Sequence, residues 1–137
     1  MTIEYKTNAA ISVEQFIDVL QRSTLGERRP LHDRPCLEGM LEHAGLLVTA
    51  WDAEKIVGVA RAITDFHYAC WLSELAVDQN YQRCGIGKQL VKRVRDKLGP
   101  HCKLRLAAAP AAADYYGRIG FQPNSRCWEI LPDQVMD

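Results

Sequence analysis

Asp78-Gln-Asn-Tyr-Gln82-Arg-Cys-Gly85-Ile-Gly87-Lys-Gln-Leu90 follows an apolar run ending in Leu75-Ala76-Val77 and opens a stretch with Ile86, Leu90, Val94 and Leu98 on one stripe. That change of period reads as a strand turning into an amphipathic helix. The turn has the makings of an anion site. Gly85 and Gly87 lack the Cβ atoms that would hold a ligand off the backbone, and the first helical turn leaves up to four N–H groups unpaired. The helix dipole adds partial positive charge at the same end, so a diphosphate docks there with little help from side chains. Arg83 and Lys88 flank the loop.

A glycine pair alone is common, so its surroundings decide. The loop lacks the Gly-Lys-Ser/Thr ending of a P-loop and the third glycine of a dinucleotide fingerprint. What remains, Gln82-x-x-Gly85-x-Gly87, resembles the acetyl-CoA signature Q/R-x-x-G-x-G/A of the Gcn5-related N-acetyltransferases. A second motif, Ala112-Ala-Asp-Tyr115-Tyr116-Gly-Arg-Ile-Gly120-Phe121, is similar to that family's late helix, A-x-x-F-Y-x-x-x-G-F. Two motifs in order are more specific than one. Two departures stand beside them. Ala109 lies where many members carry an asparagine that helps hold the cofactor, and Gly117 interrupts the helix at a cost of up to about 1 kcal/mol.

The resemblance implies an α/β (α+β) acyl-CoA N-acyltransferase fold: a mixed central sheet, flanked by helices, whose two central strands splay to admit the cofactor. Those strands are expected at Ala69 to Val77 and Lys103 to Ala107. It further implies acetyl-CoA as co-substrate, with no metal, held by the backbone of Leu75, Ala76 and Val77 and by Gln82, Arg83, Cys84, Gly85, Ile86, Gly87 and Lys88. A bulge at 75–77 would free an N–H for the oxyanion. Tyr116 matches the tyrosine that protonates the departing thiolate. A phenol of pKa about 10 facing a thiolate of about 8.5 can do so in a concerted step. Tyr115 is left to packing.

Glu74 interrupts the apolar strand Trp71-Leu-Ser-Glu-Leu-Ala-Val, and a half-buried carboxylate needs a reason. It is expected to take a proton from the substrate ammonium or to anchor that cation; an exposed strand face is the alternative. Asp65 could assist, though turn chemistry explains an aspartate there equally well. Arg28, Arg29 and Arg34 read as a solvated loop or as a substrate mouth.

At 137 residues the chain suits a single N-acetyltransferase domain burying about 70% of its unfolded surface. Its 17 basic and 17 acidic residues cancel, which argues against nucleic-acid or anionic-membrane partners. No signal peptide or membrane span is visible, and five widely spaced cysteines without C-x-x-C suggest reduced thiols in the cytoplasm. The four histidines show no ligand spacing. The expected substrate is a small primary amine. Protein lysine or N-terminal acetylation, a non-catalytic acyl-CoA-binding module, and a homodimer remain open.

In order, the pattern predicts a short strand from Thr2 to Lys6, then a helix capped by Ser12 and Gln15 and carrying Val13, Phe16, Ile17 and Leu20. A second helix is expected from Pro35 to Gly45. A three-strand meander follows at Leu46 to Trp51, Lys55 to Thr64 and Ala69 to Val77. After the Gly85 helix come a strand from Lys103, a helix from Pro110 to Gly120, and two terminal strands, from Phe121 and from Arg126 to Leu131.

Overall fold

Successive apolar segments build a five-stranded sheet in the order β1-β2-β3-β4-β5. The computed structural model describes residues 2–137, which fall into two compact units, one ending at Ala107 and one spanning Ala108–Asp137. In the first unit β1 (Ile3–Thr7), β2 (Leu46–Asp52), β3 (Lys55–Thr64) and β4 (Ala69–Val77) pair antiparallel, while β5 (Lys103–Arg105) runs parallel to β4. A parallel neighbour requires a crossover, and α3 (Ile86–Arg95) supplies it.

Two helices cover one sheet face. α1 (Val13–Ser23) starts at the expected capping box: the Ser12 hydroxyl accepts from Gln15 N–H at 3.0 Å, and Gln15 accepts from Ser12 N–H at 2.8 Å. Its Phe16, Val19 and Leu20 bury completely with Leu37 of α2 (Arg34–Glu42) against Leu47, Trp51, Val59 and Ala76. Each such side chain contributes about 1.5–3 kcal/mol. α2 is capped by Asp33, places Pro35 in its first turn, and stops at Glu42 rather than at Gly45. Gly45 instead passes tightly over β3, where a Cβ would lie 3.0 Å from the Thr64 carbonyl oxygen.

α3 packs against the sheet at Gly58, where an added Cβ would sit 3.0 Å from Leu90 Cδ1 and 3.2 Å from Ile86 Cγ2. That close approach holds the helix N-terminus near the end of β4. β4 itself has two unlike halves. Ala69 to Trp71 bond to β3 partners or to the turn on one side and to β5 on the other, whereas Leu75 to Val77 pair only with β3. The bulge expected at 75–77 lies two residues earlier. Arg61 pairs with Glu74 and Ala62 with Leu72, so Ser73 is the extra residue, and 75–77 form an ordinary ladder with Ala60, Val59 and Gly58.

The second unit departs further from expectation. The predicted helix from Pro110 to Gly120 is broken into a 3-10 turn, Pro110–Ala112, and one α turn, α4 (Tyr115–Arg118). The two predicted terminal strands do not form. Asn124 takes the N–H groups of Arg126 and Cys127, Gln134 and Leu131 bond to one another, and Pro123 and Pro132 offer no donor. Local turns thereby use the groups a ladder would need, and Trp128 is left 95% exposed. Among the described residues no helix is long and apolar enough to cross a membrane.

Candidate active site

The loop after β4 is held by charged groups on both sides. Asp78, buried at the strand end, caps the 3-10 turn Gln79–Tyr81 through Asn80 N–H at 2.8 Å and accepts from Arg22 of α1. Burial pushes its carboxyl up, but the Asn80 N–H and the Arg22 guanidinium outweigh that and hold it below the ordinary range. Arg22 also donates to the Ile56 carbonyl at 2.6 Å, and the Tyr81 hydroxyl donates to Asp52 at 2.6 Å. These ties to α1, β2 and β3 set where the glycine loop begins.

Within that loop Arg83 (φ 64°) and Gly85 (φ 78°) adopt left-handed backbone. The first helical bond of α3 runs from Gln89 N–H to Gly85 O at 3.1 Å. Among the described residues the N–H groups of Ile86, Gly87 and Lys88 find no acceptor. Three free donors at the positive end of a helix make a cradle whose chemistry suits an anion. Ile86 contributes backbone alone, because its side chain is buried against Gly58. Gln82, Arg83, Cys84 and Lys88 are exposed around the cradle; Gln82 also donates to the Val77 carbonyl at 3.4 Å, and Cys84 to the Gln82 carbonyl at 3.6 Å.

Upstream of the cradle, Leu75, Ala76 and Val77 line the half of β4 that β5 does not cover. Four residue steps of strand, about 13 Å, separate Val77 from the Ser73 bulge. There Glu74 is neither exposed nor free. Its side chain is 1% exposed, Oε1 accepts from Arg61 Nε, and Oε2 accepts from Arg29 Nε at 2.6 Å and Ser73 Oγ at 3.0 Å. Arg61 further donates to the Met40 carbonyl of α2 and to Ser73 Oγ, while Arg29 donates to the carbonyls of Ser73 and Arg28. One cluster thus ties β3, β4, α2 and the segment after α1 together.

Arg61 and the clamp role of Arg29 escaped sequence reasoning. A signal existed, since Arg61 is the one charge inside β3 beyond its first residue and Glu74 the one charge in β4. Counting from the turn pairs Arg61 with Ser73, however, and only the bulge brings it opposite Glu74. Asp65 has a turn role: one of its oxygens accepts from His67, Tyr68 and Ala69 N–H at 2.8–3.0 Å, which holds its carboxyl at about 2. Arg34 pairs with Glu14 and Glu38 on the surface, and all four histidines are exposed.

Tyr116 belongs to the second unit. Its ring packs edge to face with Tyr115 and Phe121, at centroid distances of 5.3 and 5.5 Å, and Phe121 N–H closes onto the Tyr116 carbonyl at 3.0 Å. Burial pushes the Tyr116 phenol up, with Tyr115 adding to the shift, so it stays a proton donor through neutral pH.

Comparison with known proteins agrees with this architecture. Across 96 residues the chain is 28% identical to GCN5-related N-acetyltransferase 1, chloroplastic, of Arabidopsis thaliana. The match covers 67% of this chain and 49% of the relative, so the chain spans about half that protein's length. A GNAT-family acetyltransferase from Streptococcus pneumoniae superposes with a TM-score of 0.78 at 24% identity, covering 95% of this chain and 96% of its own. An aminoglycoside acetyltransferase from an uncultured soil metagenomic sample, solved with sisomicin, gives 0.68 at 18% identity over 98% and 97% of the two chains. Both show a shared fold. Residues 14–128 match the family described as an acetyltransferase (GNAT) domain, and the chain belongs to that family.

Proposed function

We propose that this chain, as a single domain, moves an acetyl group from acetyl-CoA to a primary amine of a small molecule by direct attack in a ternary complex. The observation that carries this is the set of unpaired N–H groups of Ile86, Gly87 and Lys88 at the end of β4's uncovered half. The cradle takes the diphosphate. The edge of Leu75, Ala76 and Val77 then offers backbone groups to the pantetheine arm, which directs the thioester toward the Ser73 bulge.

The ammonium first gives one proton to Glu74 or to water. The free amine nitrogen then attacks the thioester carbonyl, the C–S bond breaks, and the thiolate accepts a proton that we assign to Tyr116. The second proton shed by the nitrogen replaces it on the phenol. Glu74 is our candidate for meeting the substrate ammonium, and it can do so once Arg29 releases Oε2. The five free thiols suit a reducing compartment, and we propose the cytoplasm.

Calorimetric titration with acetyl-CoA, with NAD as control, tests the cradle. Saturable binding of acetyl-CoA alone is expected, and no binding removes the assignment. Thiol release with an amine panel then tests transfer. Binding without turnover on any amine or peptide would leave an acyl-CoA-binding module, an outcome the Ala109 departure makes worth testing. Tyr116→Phe is expected to lower kcat by about 10²–10⁴ with acetyl-CoA affinity unchanged. Unchanged kcat would move the proton donor elsewhere.

A further inference from the structure

The cluster at the Ser73 bulge holds two cations, Arg29 and Arg61, against the single anion Glu74. Two cations facing one anion leave one positive charge at the mouth of the cluster, which an anionic ligand group can balance. The two arginines are not equivalent. Arg61 is 6% exposed and fixed between β3, β4 and α2, whereas Arg29 is 21% exposed and reaches Glu74 from the segment after α1. Arg29 donates three bonds, to Glu74, the Ser73 carbonyl and the Arg28 carbonyl. A guanidinium has five N–H groups, so two remain for a ligand. A carboxylate suits that planar fork better than any neutral group.

We infer that Arg29 selects an amine that carries a carboxylate one or two carbons from its ammonium, an amino-acid type of substrate, by exchanging partners with Glu74. The substrate carboxylate takes the Arg29 guanidinium, and the Glu74 oxygen so released takes the ammonium. Arg29 and Glu74 touch at 2.6 Å, so the opposite charges they present are as close together as those of such a zwitterion. Arg61 stays on the other Glu74 oxygen and keeps the carboxylate in place. The pair is thus a closed form of the subsite. This assignment rests on the acetyltransferase reading and adds a substrate class to it.

The test uses the full chain, acetyl-CoA and matched amines: amino acids against their neutral amides, with a polycationic aminoglycoside as a third arm. Amides have the more readily deprotonated amine, so a preference for the acids would run against intrinsic reactivity. Wild type is expected to favour the acids by about ten- to hundredfold in kcat/KM, the scale of one charge-assisted contact. Arg29→Gln should bring that ratio close to one while the acetyl-CoA Kd stays within about twofold, because only amine binding is altered. Arg29→Lys should restore part of the preference, and a thermal melt of each variant separates this from misfolding. Equal use of acids and amides, a preference for the aminoglycoside, or a preference that survives Arg29→Gln would overturn the proposal. So would a protein that binds acetyl-CoA and acetylates none of these amines. Failure to bind acetyl-CoA at all would instead defeat the acetyltransferase reading beneath it.

Discussion

The two halves of β4 carry similar residues and meet different fates. Cys70 in the first half is as buried as Ala76 in the second, yet the first half is hydrogen-bonded to β5 and the second is not. The difference comes from outside the strand. β5 is only three residues long, and past Arg105 it no longer follows its neighbour. Burial therefore records how well a strand's faces are covered, whereas the proposed cofactor contact depends on which edge is left open. A strand can belong fully to the core and still offer a row of unshared backbone groups.

Charging the open end should have the largest effect. Gly87→Glu puts a carboxylate among the three cradle N–H groups, and acetyl-CoA binding should vanish from calorimetry; retained binding would place the diphosphate elsewhere. The junction between the halves comes next. Arg61→Ala leaves Glu74 buried with Arg29 as its remaining cation and should cost about 1.5–3 kcal/mol in urea denaturation, the scale of a lost hydrogen bond to a charged group. A loss under about 1 kcal/mol would mean that Glu74 behaves as a surface charge.

The closed half gives the smallest effect. Asp65→Ala removes the acceptor that organises the turn into β4 and should lower the melting temperature modestly without changing the acetyl-CoA Kd. Because the Asp65 carboxyl is held at about 2 in the folded chain, below its ordinary 3.8, its contribution is complete above about pH 4. It is lost as pH falls toward 2. NMR titration of that carboxyl checks the sign, and a midpoint at or above 4 would contradict it.

Much of this was readable beforehand. The bounds of β3 and β4 matched their apolar runs, and the Ser12 to Gln15 cap announced α1, because both depend on neighbours close in sequence. The left-handed turn and the free N–H groups after it were readable too, since Gly85 supplies the turn and the helix start supplies the donors. The bulge was not. A bulge inserts one residue and shifts every later pairing, and no local pattern marks Ser73 as the residue left over. Glu74's two arginines were hidden for the same reason, with Arg29 lying 45 residues away in the chain. The terminal segments failed differently. The apolar residues between Arg126 and Leu131 favour a strand but name no partner, and the prolines on either side favour turns.

The placement of the three tryptophans also makes the molecule its own optical probe. Trp51 is 8% exposed with its indole N–H bonded to Thr49, Trp71 is 40% exposed where β4 meets β5, and Trp128 is 95% exposed. Iodide should quench their emission in three tiers, with the middle tier coming from the boundary between the two halves of β4. With Trp128 replaced by Phe, the accessible part of the fluorescence would report on that boundary alone.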